Sequence, residues 1–281
     1  MRTIRTITWN LSHTGDIGPK IALLKEAISE AGDDTGVIVC LQEVTSQYYR
    51  ELLNCGLFSE VVCSLNVRSS DRFDRDNQPL GCAFGCAGNI NLGTGSISGR
   101  LPAMGAADPM QPSLFEAGRD MMHLVNVHSI TGIGKMKAVP SASVARYLYS
   151  LAKHNESVIF CGKINDAFLE ESDGGPDDTF PSYVDRLDPS GTFFGVNPRH
   201  HIQEALRMWL KSNPVCMASQ LQSSADGPLS VTLIKGGDHH FDFLLISPQW
   251  VVKRIDQFHD ESLRAGSRYA MVVCDLAREA A

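Results

Sequence analysis

The chain has 281 residues, 43% of them hydrophobic, and a formal net charge of −7. That length supports a large core without disulfide or metal staples, and the acidic balance excludes a broad nucleic-acid-binding surface, whose affinity comes from Lys and Arg set against phosphates. No run of apolar residues approaches a bilayer span, and Met1 to Trp9 alternates where a secretion signal would be continuously apolar. The reading is a single domain over residues 1–281, cytoplasmic, with export as an effector left open. Eight Cys show no C-x-x-C pair; Cys40, Cys161 and Cys274 lie in apolar strand-like runs and read as reduced core thiols.

Residues 3 to 9 alternate with the two-residue period of a strand that ends at Asn10. Lys20 to Ala31 carries Ile21, Leu24, Ala27 and Ile28 at helical spacing, and the Gly-containing run from Gly32 to Gly36 stops it. Val37 to Leu41 predicts a buried strand closing on Gln42 and Glu43. Gln47 to Leu53 predicts a short helix and Glu60 to Val67 a strand. Arg68 to Pro79 is polar, holds three Arg and reads as an exposed loop.

Strand-like pieces follow at Cys82 to Cys86, Ser96 to Ser98 and Met121 to His128. An amphipathic helix is predicted over Ser141 to Lys153, leading into a strand at Val158 to Cys161. A long loop spans Asp166 to Thr192, then a helix Ile202 to Leu210 and strands Leu229 to Ile234, Phe241 to Ile246 and Ala270 to Leu276. Strands in pairs with a few interleaved helices predict two sheets face to face with helices outside. The pairs His200-His201 and His239-His240 point to opposite faces of any strand and read as structural, with His240 at a pocket edge. Leu92 to Ser96 lacks the ending of a phosphate-binding P-loop and reads as a turn. Arg100 and Arg119 read as surface salt-bridge partners.

Five segments close on polar residues in a fixed order: Trp9-Asn10, Gln42-Glu43, Asn126-Val127-His128, Gly162-Lys163-Ile164-Asn165 and His240-Phe241-Asp242. This order, with the tail Gly266-Ser267-Arg268-Tyr269, resembles the endonuclease/exonuclease/phosphatase family, whose members hydrolyse phosphoesters with Mg²⁺. The resemblance implies a four-layer αββα sandwich of the deoxyribonuclease-I-like kind, an α/β fold of two packed, mostly antiparallel sheets with outer helices. It implies Glu43 as the principal Mg²⁺ ligand with Asn10 nearby. It further implies Asn165 at the phosphate or attacking water, His128 as a donor to a phosphate oxygen, and Asp242 as support for a catalytic histidine or the metal's outer shell.

Two family signatures depart from the pattern. Lys163 stands where the family's Gly-Asp-x-Asn has Asp, and Arg268 and Tyr269 stand where Ser-Asp-His has Asp and His. A Lys ammonium about 4 Å from a divalent ion is repelled by about 8 kcal/mol at an effective dielectric near 20. Mg²⁺ binding is therefore expected to be weak or absent. The Asp absent at 163 is the water-activating candidate, and Tyr269 titrates too high to replace an imidazole.

Two origins of these residues stay open at this point: a natural pseudoenzyme in which Lys163 and Arg268 hold a phosphate, or introduced substitutions in an active parent. The expected function is a phosphoesterase scaffold binding a phosphorylated small molecule, with nucleic acid less favoured by charge, or a protein partner. The alternative is an active Mg²⁺-dependent phosphodiesterase or nuclease drawing ligands from the Asp166 to Asp188 loop. A third option has Lys163 as an amine nucleophile toward an aldehyde.

Overall fold

A computed structural model describes residues 3–32, 35–66, 79–88, 90–93, 110–117, 120–128, 157–163, 216–217, 242–246 and 250–278. In chain order these form β1 (Thr3–Asn10), α1 (Gly18–Ser29), β2 (Gly36–Thr45), α2 (Ser46–Asn54), β3 (Glu60–Cys63), β4 (Leu80–Ala87), β5 (Asn91–Gly93), β6 (Met110–Ala117), β7 (Asp120–His128), β8 (Val158–Lys163), β9 (Cys216–Met217), β10 (Asp242–Ile246), β11 (Trp250–Phe258), α3 (His259–Arg264) and β12 (Met271–Arg278). They build two six-stranded sheets, ordered β11-β12-β1-β2-β4-β3 and β5-β6-β7-β8-β10-β9. Each sheet has one parallel pair, β1 with β2 and β7 with β8, among antiparallel neighbours.

The two-residue period of β1 and β2 decides what each face meets. Ile4 and Ile38 join Phe84, Leu124, Ile159 and Leu244 in a core shared by the two sheets. Ile7, Trp9, Val39 and Leu41 turn the other way and pack with Leu24 of α1 and Leu52 of α2. A helix layer, a sheet and a second sheet are thus stacked in that order. Arg5 ties the layers: it bonds both Asp275 oxygens at 2.7 and 2.8 Å and reaches the Ala27 carbonyl of α1 at 2.8 Å. Cys40, Cys161 and Cys274 are free and buried between the sheets, as their apolar surroundings predict.

Several elements differ from the sequence reading. Residues Glu60 to Val67 are not one strand: β3 stops at Cys63 and a 3-10 turn follows over Ser64–Asn66. β2 runs on to Thr45 past Leu41. β5, β6, β9, β11 and α3 had no counterpart in the predicted elements, and Leu92 and Gly93, read as part of a turn, lie in β5. The predicted pieces at 68–78, Ser96 to Ser98, Ser141 to Lys153, Asp166 to Thr192, Ile202 to Leu210 and Leu229 to Ile234 lie outside the described residues, as do Arg100, Arg119 and the paired histidines. Among the described residues no helix is long and apolar enough to cross a membrane.

Candidate active site

The site begins with an irregularity in β2. Its register against β4 runs to Leu41 opposite Ala83 and resumes at Val44 opposite Gly81. Gln42 and Glu43 therefore face Cys82 alone, the two-against-one count of a β-bulge. In a regular strand these two residues would point to opposite faces. Here Glu43 takes a left-handed backbone with φ of 56°, at a cost of about 1–2 kcal/mol for a non-glycine residue. Both side chains consequently reach the second sheet. Gln42 Nε2 donates to Asn126 Oδ1 at 2.8 Å, and Glu43 Oε1 lies 3.7 Å from His128 Nε2. Asn126 and His128, two apart on β7, share the face that receives them. Asn126 Nδ2 in turn donates to the Leu41 and Ala83 carbonyls at 3.0 and 3.1 Å, and Cys82 N–H bonds Ser64 Oγ at 3.0 Å. Side chains thus satisfy the Leu41 and Ala83 carbonyls and the Cys82 N–H at the bulge, and the Leu11 N–H satisfies the Gln42 carbonyl.

Glu43 is almost wholly buried, with its side chain 5% exposed. Oε1 accepts from Asn10 Nδ2 at 3.3 Å and faces His128. Oε2 meets the His13 backbone N–H at 3.3 Å and His13 Nδ1 at 2.7 Å. Asn10 Oδ1 accepts from Ser12 N–H at 2.9 Å, which folds the chain after β1 back over its own end.

The second sheet supplies the opposite wall by register. His128, the last residue of β7, stands beside Lys163, the last residue of β8, and Lys163 stands beside Asp242 on β10. Asp242 does not close a strand as the sequence reading had it. It opens β10, and because β10 is antiparallel to β8 its start lies at β8's end. Ser267 fastens the third wall: its Oγ lies 2.8 Å from the Asn10 carbonyl and accepts the Tyr269 N–H at 3.0 Å, while Trp9 Nε1 donates to the Tyr269 carbonyl at 2.9 Å. Arg268 is exposed and Tyr269 buried at this edge. Asn165 lies outside the described residues. The structure thus gathers Asn10, Glu43, His128, Lys163, Asp242, Arg268 and Tyr269 at one set of strand ends.

Sequence reasoning missed His13 and the Asn126–Gln42 contact. Asn126 was legible as the residue two before His128 on a strand, hence on the same face. His13 offered less: a histidine in a polar turn just after a strand-end asparagine.

The resemblance calls for Mg²⁺ at Glu43 with Asn10 nearby. A hard cation of this size takes six oxygens in octahedral array; among the described residues, Glu43 is approached by Asn10 and by the imidazoles of His13 and His128. Both Glu43 oxygens already receive donors from the protein, and Asn10 Oδ1 is engaged by Ser12. Among the described residues no three His, Cys, Asp or Glu side chains are grouped to hold a metal ion.

No protein-family model matches the chain, and no curated protein does. Solved structures do. The human Nocturnin catalytic domain with bound sulfate anion is 17% identical over 99% of this chain and 96% of that one, with a TM-score of 0.62. D. rerio TDP2 complexed with single-strand DNA product is 12% identical over 98% and 99%, with a TM-score of 0.59. A functionally unknown conserved protein from Enterococcus faecalis V583 is 14% identical over 98% and 100%, with a TM-score of 0.57. With two sheets stacked face to face and the polar strand ends converging at one edge, the chain shares the fold of these structures, the deoxyribonuclease-I-like sandwich expected from its sequence.

Proposed function

We propose that this chain is a phosphoesterase-fold protein that binds a phosphorylated ligand in the cleft at its strand ends without efficient hydrolysis. The observation that carries the reading is the register of the second wall: a lysine, residue 163, stands between Asp242 and His128, the histidine that faces Glu43. The family pattern has a carboxylate there. Exchanging it for an ammonium, and the next acidic position for Arg268, takes away negative charge that would attract a cation and adds charge that attracts phosphate.

Supporting this, the Nocturnin structure carries a sulfate and the TDP2 structure a single-strand DNA product, both anionic occupants of the same fold. The net charge of −7 favours a small phosphorylated molecule over a long polyanion. His128, 2% exposed and facing Glu43, stands at the inner end of the cleft. Asn165 and Tyr269 are assigned to the ligand-facing surface by the family pattern alone.

Calorimetry tests the reading. Inorganic phosphate is expected to bind and Mg²⁺ to give no specific heat, with a generic phosphodiester left intact. Stoichiometric Mg²⁺ binding with turnover would instead establish an active phosphodiesterase or nuclease completed by the Asp166 to Asp188 loop. Replacing Lys163→Asp, Arg268→Asp and Tyr269→His together is expected to restore Mg²⁺ binding and metal-dependent cleavage.

A further inference from the structure

One ammonium is sealed beneath the loop that leaves β1. Lys20, in the first turn of α1, has no solvent exposure. Its Nζ donates to the Ser12 carbonyl at 2.8 Å, the Thr14 carbonyl at 2.9 Å and Tyr48 Oη at 2.9 Å. Those three contacts use every N–H that an ammonium has. The Tyr48 ring centroid lies 4.7 Å from Nζ, and Tyr48 Oη is 2.8 Å from the Gly15 carbonyl. Lys20 thus grips the carbonyls on either side of His13, whose own N–H and Nδ1 rest on Glu43.

His13 is also the most open of the groups around Glu43. Its side chain is 19% exposed, against 5% for Glu43 and 2% for His128. With Nδ1 committed to the carboxylate, Nε2 is the polar ring atom left for an incoming ligand. A lysine buried in this way is an expensive means of closing a surface loop, since an apolar side chain would fill the space without desolvating a charge. What the ammonium adds is a fixed position for the one residue between its two carbonyl partners.

We infer that His13 is a contact residue of this site for a phosphate oxygen, and that Lys20 is the positioning residue that holds it on Glu43. The contact half rests on the phosphate-binding reading above; the positioning half does not. Nε2 meets the phosphate as a donor when the ring is charged, or accepts from a P–OH when it is neutral.

Long-range ¹H–¹⁵N spectra of histidine-labelled protein separate the two halves. In the ligand-free protein, His13 is expected to show an Nδ1–H that exchanges slowly. Lys20→Met should abolish that signal and Lys20→Arg restore part of it, in chains whose unfolding stays cooperative. An unchanged His13 signal in Lys20→Met overturns the positioning role.

Inorganic phosphate is then titrated in. It is expected to shift His13 Nε2, and its affinity to fall about tenfold in both His13→Ala and Lys20→Met, the loss of one charge-assisted contact. Phosphate that binds by calorimetry yet leaves His13 unmoved overturns the contact role and spares the proposed function. Phosphate that binds nowhere sinks the proposed function and the contact role, while the ligand-free spectra still decide the role of Lys20.

Should Lys20→Met fail to fold, the unmodified chain gives the same answer through pH. Burial lowers the Lys20 pKa to about 8, opposed by Glu43 and Asp16. Tyr48, pushed the other way by burial, up to about 12, stays neutral through that range. Among the described residues, the other charged or titratable groups around the loop are His13 itself and, two residues beyond Gly266 whose backbone lies beside the Lys20 stem, the exposed Arg268. The His13 Nδ1–H signal is expected to weaken as pH rises through about 8, and a flat response there overturns the positioning role.

Discussion

At the scale of single residues, the site is built by conformations and charges that the fold alone would not choose. Glu43 carries its carboxylate on a left-handed backbone, and two substitutions separate the backbone from the side chain. Glu43→Ala and Glu43→Gly both delete the contacts to Asn10, His13 and His128, but only glycine takes a φ of 56° without steric cost. Glycine loses more chain entropy on folding, which offsets part of the gain. Glu43→Gly is therefore expected to be more stable than Glu43→Ala by about 1 kcal/mol in urea unfolding.

Lys20 gives a second residue-level test, in pH. Its pKa is held at about 8 against 10.5 in the open chain, a bias of about 3 kcal/mol against folding at neutral pH. The penalty is present in full below pH 8, where both states are protonated. It disappears as pH rises to 10.5, where both are neutral, so this lysine's contribution grows more favourable across that window. Burial raises the thiols of Cys86 and Cys274 above the ordinary 9.0, and these lose stability as pH climbs. The lysine is consequently read as a difference: the unfolding free energy of the unmodified chain minus that of Lys20→Met is expected to rise from pH 8 to 10.5.

At the scale of elements, regular periodicity was legible and interruptions were not. β1, α1, β7 and β12 appear within a few residues of their predicted spans, because apolar residues recur through each at strand or helix spacing. β2 was read as closing on Gln42 and Glu43, since these two break the apolar run. The strand continues because side chains from outside it satisfy the bulge, and a local pattern carries no sign of those partners. β11 was missed for a related reason: Lys253, Arg254 and Asp256 interrupt its apolar pattern on an outer strand of the sheet, where one edge lacks a neighbour. Directly after the bulge, Thr45 caps α2, its Oγ1 accepting the Tyr48 N–H at 3.1 Å. Thr45→Ala is expected to cost about 1 kcal/mol, with Thr45→Ser recovering most of it. Tyr48 hangs from that first turn and its hydroxyl meets Lys20, so the same alanine variant should also speed exchange of the His13 Nδ1–H.

At the scale of the whole molecule, each sheet owns half of the site. Asn10, His13 and Glu43 come from one, His128, Lys163 and Asp242 from the other, and their separation is set by how the sheets sit on each other. The order of polar strand ends pointed to all of these residues but His13 before any coordinates, since a shared edge is where strand ends of stacked sheets meet. The joint between the sheets was not legible, because Gln42 and Asn126 are far apart in sequence and neither residue type announces a buried partner. Among the described residues its polar part includes the Gln42–Asn126 hydrogen bond of 2.8 Å, with Asn126 also bonding Leu41 and Ala83. Asn126→Ala strands two buried carbonyls and the Gln42 amide at once, at about 1 kcal/mol or more apiece, so a loss of about 3 kcal/mol is expected. Gln42→Ala should lose less, because its Oε1 has no partner to forfeit and its other two contacts are long, at 3.3 Å. If the contact joins the sheets as a unit, the double variant falls short of the sum of the singles by about 1 kcal/mol. Additive losses would mean that Asn126 acts only on the bulge. In that case the distance from Glu43 to His128, 3.7 Å here, should survive Gln42→Ala unchanged. A joint acting across the sheets predicts that it widens, and that phosphate affinity falls with it.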